Sequence, residues 1–150
     1  MSNITKELLS AILNKNVISL SGVLDYSVRM HTPGIIYSNA AGDPCCKYGS
    51  GLFYFETDKG VDSFKIENLA WLCSNWLYAN GYSVLYEKPN KTYRKVYLKK
   101  RDDENAKPFH PPYAAAHSDE EALIPACEYI LKLKKKEIKW KWLFFMMKMD

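Results

Sequence analysis

Hydrophobic and polar residues change their spacing several times along the chain, and each change predicts an element. Ile4, Leu8, Leu9, Ile12 and Leu13 share one face of an N-terminal helix, with Asn3 as its cap and Asn14 to Asn16 as its end. From Gly22 the period becomes two: Leu24, Tyr26, Val28 and Met30 alternate with Asp25, Ser27 and Arg29, as a half-buried strand requires. Ile35-Ile36-Tyr37 and Leu52-Phe53-Tyr54-Phe55 predict two further strands. Ser38 to Ser50 between them is rich in Gly, Asn, Asp and Pro and reads as a long contact loop.

The stretch from Asp62 to Lys134 organises the rest as helix, hairpin and helix. Ile66, Leu69, Ala70, Cys73, Trp76 and Leu77 recur at helical spacing, with Asp62 or Ser63 as the cap and Asn80-Gly81 as a left-handed stop. The period returns to two over Tyr82–Tyr86 and Thr92–Leu98, with Glu87-Lys88-Pro89-Asn90-Lys91 as the turn of an antiparallel hairpin. Arg101 to His117, with Pro108, Pro111 and Pro112, reads as an irregular linker. Ser118 to Glu121 has the form of a capping box for a second helix, in which Leu123, Ala126, Cys127 and Ile130 face the core. Pro125 predicts a kink there or a delayed start. The expected fold is a single α+β domain over residues 1–150. Helices at Lys6–Leu13, Phe64–Ala79 and Glu120–Lys134 cover one face of a mainly antiparallel sheet.

The C-terminal segment, 138–150, has a different pattern. Ile138, Trp140 and Trp142 alternate with Lys139 and Lys141, and Leu143-Phe144-Phe145-Met146-Met147 is apolar on every side. The first expectation is a last strand buried in the sheet, because soluble chains rarely leave such a patch in water. The second is a docking tail for a partner or for a second copy, a homodimer contact. A membrane-surface role is third.

Composition narrows the function classes. A chain of 150 residues buries a real core, and no stretch is long enough to span a bilayer. Met1 to Lys15 lack the basic and apolar regions of a secretory signal, so a cytoplasmic (host-cell) location without a membrane partner is expected. Of four cysteines, Cys45 and Cys46 are adjacent and Cys73 and Cys127 lie on predicted helix faces, an arrangement of buried thiols rather than of a disulfide framework. Gly49-Ser50-Gly51 lacks the lysine and remaining glycines of a phosphate loop. His31, Cys45, Cys46, His110 and His117 show no metal-ligand spacing, and Asp102-Asp103-Glu104 reads as solvated. No enzyme activity, metal or cofactor is expected.

Electrostatics mark the hairpin. Lys88, Lys91, Arg94, Lys95, Lys99, Lys100 and Arg101 concentrate positive charge there, within a net charge of only +4. One strand face presents Tyr93, Lys95, Tyr97 and Lys99 in alternation, which suits a single-stranded nucleic acid: rings stack on bases and ammonium groups neutralise phosphates. The plainer reading is a solvated edge strand whose charges prevent aggregation. Trp71 and Tyr78, seven residues apart and away from the apolar stripe, are a further contact surface, or else are covered by the N-terminal helix or the tail. The candidate binding residues are therefore Trp71, Tyr78, Tyr93, Arg94, Lys95, Tyr97, Lys99, Lys100 and Arg101.

Leu69-Ala70-Trp71-Leu72-Cys73-Ser74-Asn75-Trp76, Gly81-Tyr82 and Glu121-Ala122-Leu123-Ile124-Pro125-Ala126-Cys127-Glu128-Tyr129-Ile130-Leu131 resemble segments of small phage and prophage open reading frames. Those share a Leu-Ala-x-x-Cys-x-x-Trp helix, a Gly-Tyr hairpin start and a Glu-Ala-x-x-x-Ala-Cys-Glu-aromatic-Ile-Leu helix. The resemblance covers about half of the chain, consists of core positions and supplies no catalytic residues. It implies a non-enzymatic phage accessory protein that binds and inhibits a host antiviral defence complex, as anti-CRISPR proteins do. The alternatives are a nucleic-acid binder using the hairpin and a sponge for a nucleotide signal of host defence.

Overall fold

Thr5 opens the first helix by accepting a hydrogen bond from the Leu8 N–H at 3.1 Å, and Asn14 closes it in the left-handed conformation. The computed structural model describes residues 4–20, 22–25, 34–38, 44–48, 52–65 and 68–149. Helix α1 (Lys6–Leu13) buries Leu8 and Leu9 and lies along β1 (Val17–Leu20). Strand β2 (Gly22–Asp25) pairs antiparallel with β3 (Gly34–Ser38), which pairs with β4 (Pro44–Tyr48). Strand β4 falls inside the stretch expected to be a loop, so Pro44–Tyr48 is a correction: ladder pairing with β3 outweighs the turn-rich composition on either side. The expected strand residues Tyr26, Val28 and Met30, and His31, lie outside the described residues.

Strands β5 (Leu52–Thr57) and β6 (Gly60–Lys65) form a hairpin whose short turn ends on Gly60 at φ 118°, and β5 also pairs with β1. Phe53, Phe55 and Phe64 are its buried aromatic face, with the Phe53 and Phe64 rings 5.3 Å apart. Ser63 and Phe64 are thus strand residues, which corrects the expected helix start at Asp62 to Phe64. Helix α2 spans Leu69–Ala79, follows Asn68, and buries Leu69, Cys73 and Leu77. Asn80 and Gly81, the latter at φ 94°, end it as the sequence predicts.

The hairpin follows as β7 (Tyr82–Glu87) and β8 (Arg94–Lys100), in register from Tyr82 opposite Lys100 to Glu87 opposite Lys95. The expected linker is more ordered than its prolines suggest. Phe109 bridges to Leu98 by two backbone hydrogen bonds of 2.8 and 2.9 Å, and β9 (Ala115–Ala116) pairs with β8. Buried Ala114 and Ala116 hold it in place. Helix α3 then runs from Asp119 to Met147, capped by Ser118, whose Oγ accepts from the Glu121 N–H at 3.3 Å. Pro125 neither delays nor ends it.

The protein is α+β with antiparallel sheets, as the sequence implies, but its strands divide among three three-stranded sheets: β1-β5-β6, β2-β3-β4 and β7-β8-β9. One core joins Phe53, Phe55 and Phe64 through Leu8, Leu9, Leu77, Leu123 and Ile130 of the helices to Val96 and Leu98 of β8. Cys73 and Cys127 are free and buried between α2 and α3, where the Cys127 thiol donates to the Cys73 carbonyl at 3.7 Å. Burial pushes the Cys127 thiol well above its ordinary range, so its sulfur acts as a small hydrophobe.

The tail is the largest correction. Ile138 to Met147 is neither an edge strand nor a buried one but the continuation of α3, and each residue of it is exposed. Among the described residues no helix is long and apolar enough to cross a membrane.

Candidate functional site

Sheet β7-β8-β9 has two unlike faces because β8 alternates. Val96 and Leu98 point to the core under α2 and α3, while Lys95, Tyr97 and Lys99 point the other way and are half-buried. Cross-strand pairing adds Ser83, Leu85 and Glu87 of β7 to this outer face, opposite Lys99, Tyr97 and Lys95 respectively. Lys95, Tyr97 and Lys99 of the predicted row thus share one face of β8, and Tyr93 lies just before the strand.

β8 is not an edge strand, however. It is the middle strand, paired with β7 on one side and with Phe109 and β9 on the other, so β7 and the two-residue β9 are the edges. The hairpin therefore still reaches the sheet edge, through β7 rather than through the lysine-bearing β8.

The connection before β9 brings two histidines against the tyrosines. The His110 ring lies 5.2 Å from that of Tyr97, and its Nδ1 donates to the Val96 carbonyl at 2.9 Å, leaving Nε2 as the ring's other nitrogen. His117 meets Tyr93 edge-on at 5.4 Å. The Tyr97 hydroxyl donates to Glu87 Oε2 at 3.3 Å, so a carboxylate stands on the same face as Lys95. Neither histidine is placed by spacing alone, because each owes its position to the pairing of residues 109–116 with β8.

The remaining candidates lie elsewhere. Arg94 reaches the first turn of α3, where its guanidinium forms an ion pair with Asp119 Oδ1 at 3.1 Å. Beside that pair, burial and then the Asp119 charge push the Tyr86 phenol up, and burial raises the Glu120 carboxyl above its ordinary range. Trp71 and Tyr78 are exposed on α2, so the expectation that α1 or the tail covers them is corrected. The Arg101 guanidinium sits 4.0 Å from the Tyr78 ring centre, a cation–π pair joining two candidates. Lys100 lines a cleft of about 390 Å³ between the end of β8 and α3, with Tyr82, Asp102, Asp103, Lys134 and Glu137. Burial and the nearby Glu137 carboxylate raise the Tyr82 phenol.

The nine candidates thus do not form one surface: some lie on the outer sheet face, others on the α2 flank with Arg101, and Arg94 and Lys100 stand apart at the two ends of β8. Among the described residues no three His, Cys, Asp or Glu side chains converge as metal ligands. The surface that sequence reasoning misplaced is the distal half of α3, where Trp140 is 69% exposed, Phe144 62% and Met147 75%. No protein-family model, curated protein or solved structure matches this chain.

Proposed function

We propose that the protein acts by binding rather than by turnover, with the outer face of β7 and β8 turned toward its target. On this reading it is a non-enzymatic accessory protein that occludes a working surface of a host antiviral complex. The target class rests on the resemblance of the helix-hairpin-helix residues to small phage proteins. The observation that supports the binding surface is the alternation of Lys95, Tyr97 and Lys99, next to Tyr93, on the sheet face opposite the buried Val96 and Leu98.

Two features of that face favour a protein partner. Glu87 opposes Lys95, so the charge is mixed, and the histidines engage the rings of Tyr93 and Tyr97 that a base would need for stacking. A single-stranded nucleic acid is the second reading, favoured by the tyrosine–lysine alternation itself.

Capture from host lysate with and without nuclease, using wild type and the double substitution Lys95→Glu with Lys99→Glu, separates the two. The expected result is a protein partner that survives nuclease and is lost with the double substitution at unchanged melting temperature. A nuclease-sensitive partner selects the second reading. In that case binding to a fluorescent single strand should weaken steeply with salt, and Tyr97→Ala should cost about 1–3 kcal/mol. Unaltered capture by the double substitution would remove this face from function altogether.

A further inference from the structure

We propose that the distal half of α3 docks shallowly into an anionic lipid surface, independently of the sheet face. Lys135 to Met147 is a continuous exposed stretch of helix, and it carries two tryptophans, two phenylalanines and two methionines. At 100° per residue, Ile138, Trp142 and Phe145 line one side, while Leu133, Trp140, Phe144 and Met147 line the opposite side. Lys134, Lys141 and Lys148 separate the two stripes along one flank, and Lys132, Lys136 and Lys139 along the other. Between Lys132 and Lys148 there are seven lysines and one acidic residue, Glu137.

Three occupants compete for such a helix. A second copy fits poorly, since each apolar stripe is bordered on both sides by lysines and pairing would set lysine rows against lysine rows in either orientation. An acidic protein groove satisfies the charge but covers one side, whereas Leu143 to Met147 is apolar all round. Acyl chains surround an inserted segment without any shape match, and anionic headgroups meet the lysines.

The order along the axis points the same way. Lysines dominate from Lys132 to Lys141, tryptophans follow at Trp140 and Trp142, and then comes the purely apolar run. Phosphate, interface and hydrocarbon follow one another in that order on entering a bilayer, with Trp favoured at the interface. Five residues at 1.5 Å each span about 7.5 Å, which reaches only the outer part of a hydrocarbon core roughly 30 Å thick. Lys148 follows the apolar run, and its Nζ lies 5.1 Å from the Phe144 ring, one turn back along the helix.

The test uses the whole chain with vesicles of phosphatidylcholine alone and of phosphatidylcholine with phosphatidylglycerol, read by co-sedimentation and tryptophan emission. Binding should be at least tenfold stronger to the anionic vesicles, with a blue shift, and should weaken with salt. Each lysine is expected to be worth about a fivefold change, so Lys139→Glu with Lys141→Glu should lower binding by about 25-fold or more. Phe144→Ser with Phe145→Ser keeps every charge and should abolish the blue shift and most of the binding. These four side chains are exposed, and unchanged melting temperatures would confirm that folding is not what is read. The proposal is overturned if neutral and anionic vesicles bind equally, or if the Phe144→Ser, Phe145→Ser protein still binds, which is adsorption by charge alone. Binding to neither vesicle overturns it too: a dimer by sedimentation equilibrium then assigns the helix to a second copy, and a monomer to a protein groove.

Discussion

The proximal part of α3 places Ala122, Leu123, Ile124, Ala126, Cys127 and Ile130 in the core, whereas in the distal part Lys135 to Met147 are all exposed. The same helix crosses from one regime to the other near Leu133, and the only described ion pair beyond that point joins Lys135 to Glu7 of α1. The two parts show that hydrophobic content does not decide burial. The distal part holds the larger aromatic residues, but it extends past the other described elements, so its apolar side chains stay exposed.

Substitutions of similar kind in the two parts should therefore differ widely. Leu123→Ala removes a fully buried side chain and is expected to cost about 2–5 kcal/mol by denaturant unfolding, while Phe144→Ala should stay within about 0.5 kcal/mol. Comparable losses at the two sites would mean that the distal part is packed after all. Between these extremes, Ser118→Ala deletes the cap that starts the helix and should cost about 1 kcal/mol. A loss nearer zero would show that tertiary packing alone sets the start of α3.

The proximal part was legible because its signals agree. The Ser118 cap, the three- and four-residue spacing of Leu123, Ala126, Cys127 and Ile130, and the stop of α2 at Asn80-Gly81 each specify the structure locally. The distal part was not, because Ile138-Lys139-Trp140-Lys141-Trp142 alternates like a strand. Helix propagation from an already formed N-terminal half costs less than nucleating a new strand, and two opposed apolar stripes imitate a period of two over five residues. A related ambiguity misplaced the start of α2, where Ser63 resembles a cap although Phe64 packs with Phe53 across the β5-β6 hairpin.

At the candidate site the alternation of Lys95, Tyr97 and Lys99 was legible in the sequence, since it follows from the strand period alone. The sequence did not disclose His110 and His117 beside it, or the central place of β8, which depend on long-range pairing through an alanine-rich segment that has no alternation of its own.

Amide hydrogen exchange along α3, followed on the free protein at low concentration and without lipid, tests the two-part description most directly. Amides from Ala126 to Leu131 should exchange only through global unfolding, and those from Lys139 to Met147 at least about a hundredfold faster, as a helix without tertiary contacts requires. Uniform protection from Ala126 to Met147 would contradict it, because the distal part would then be held by the fold itself.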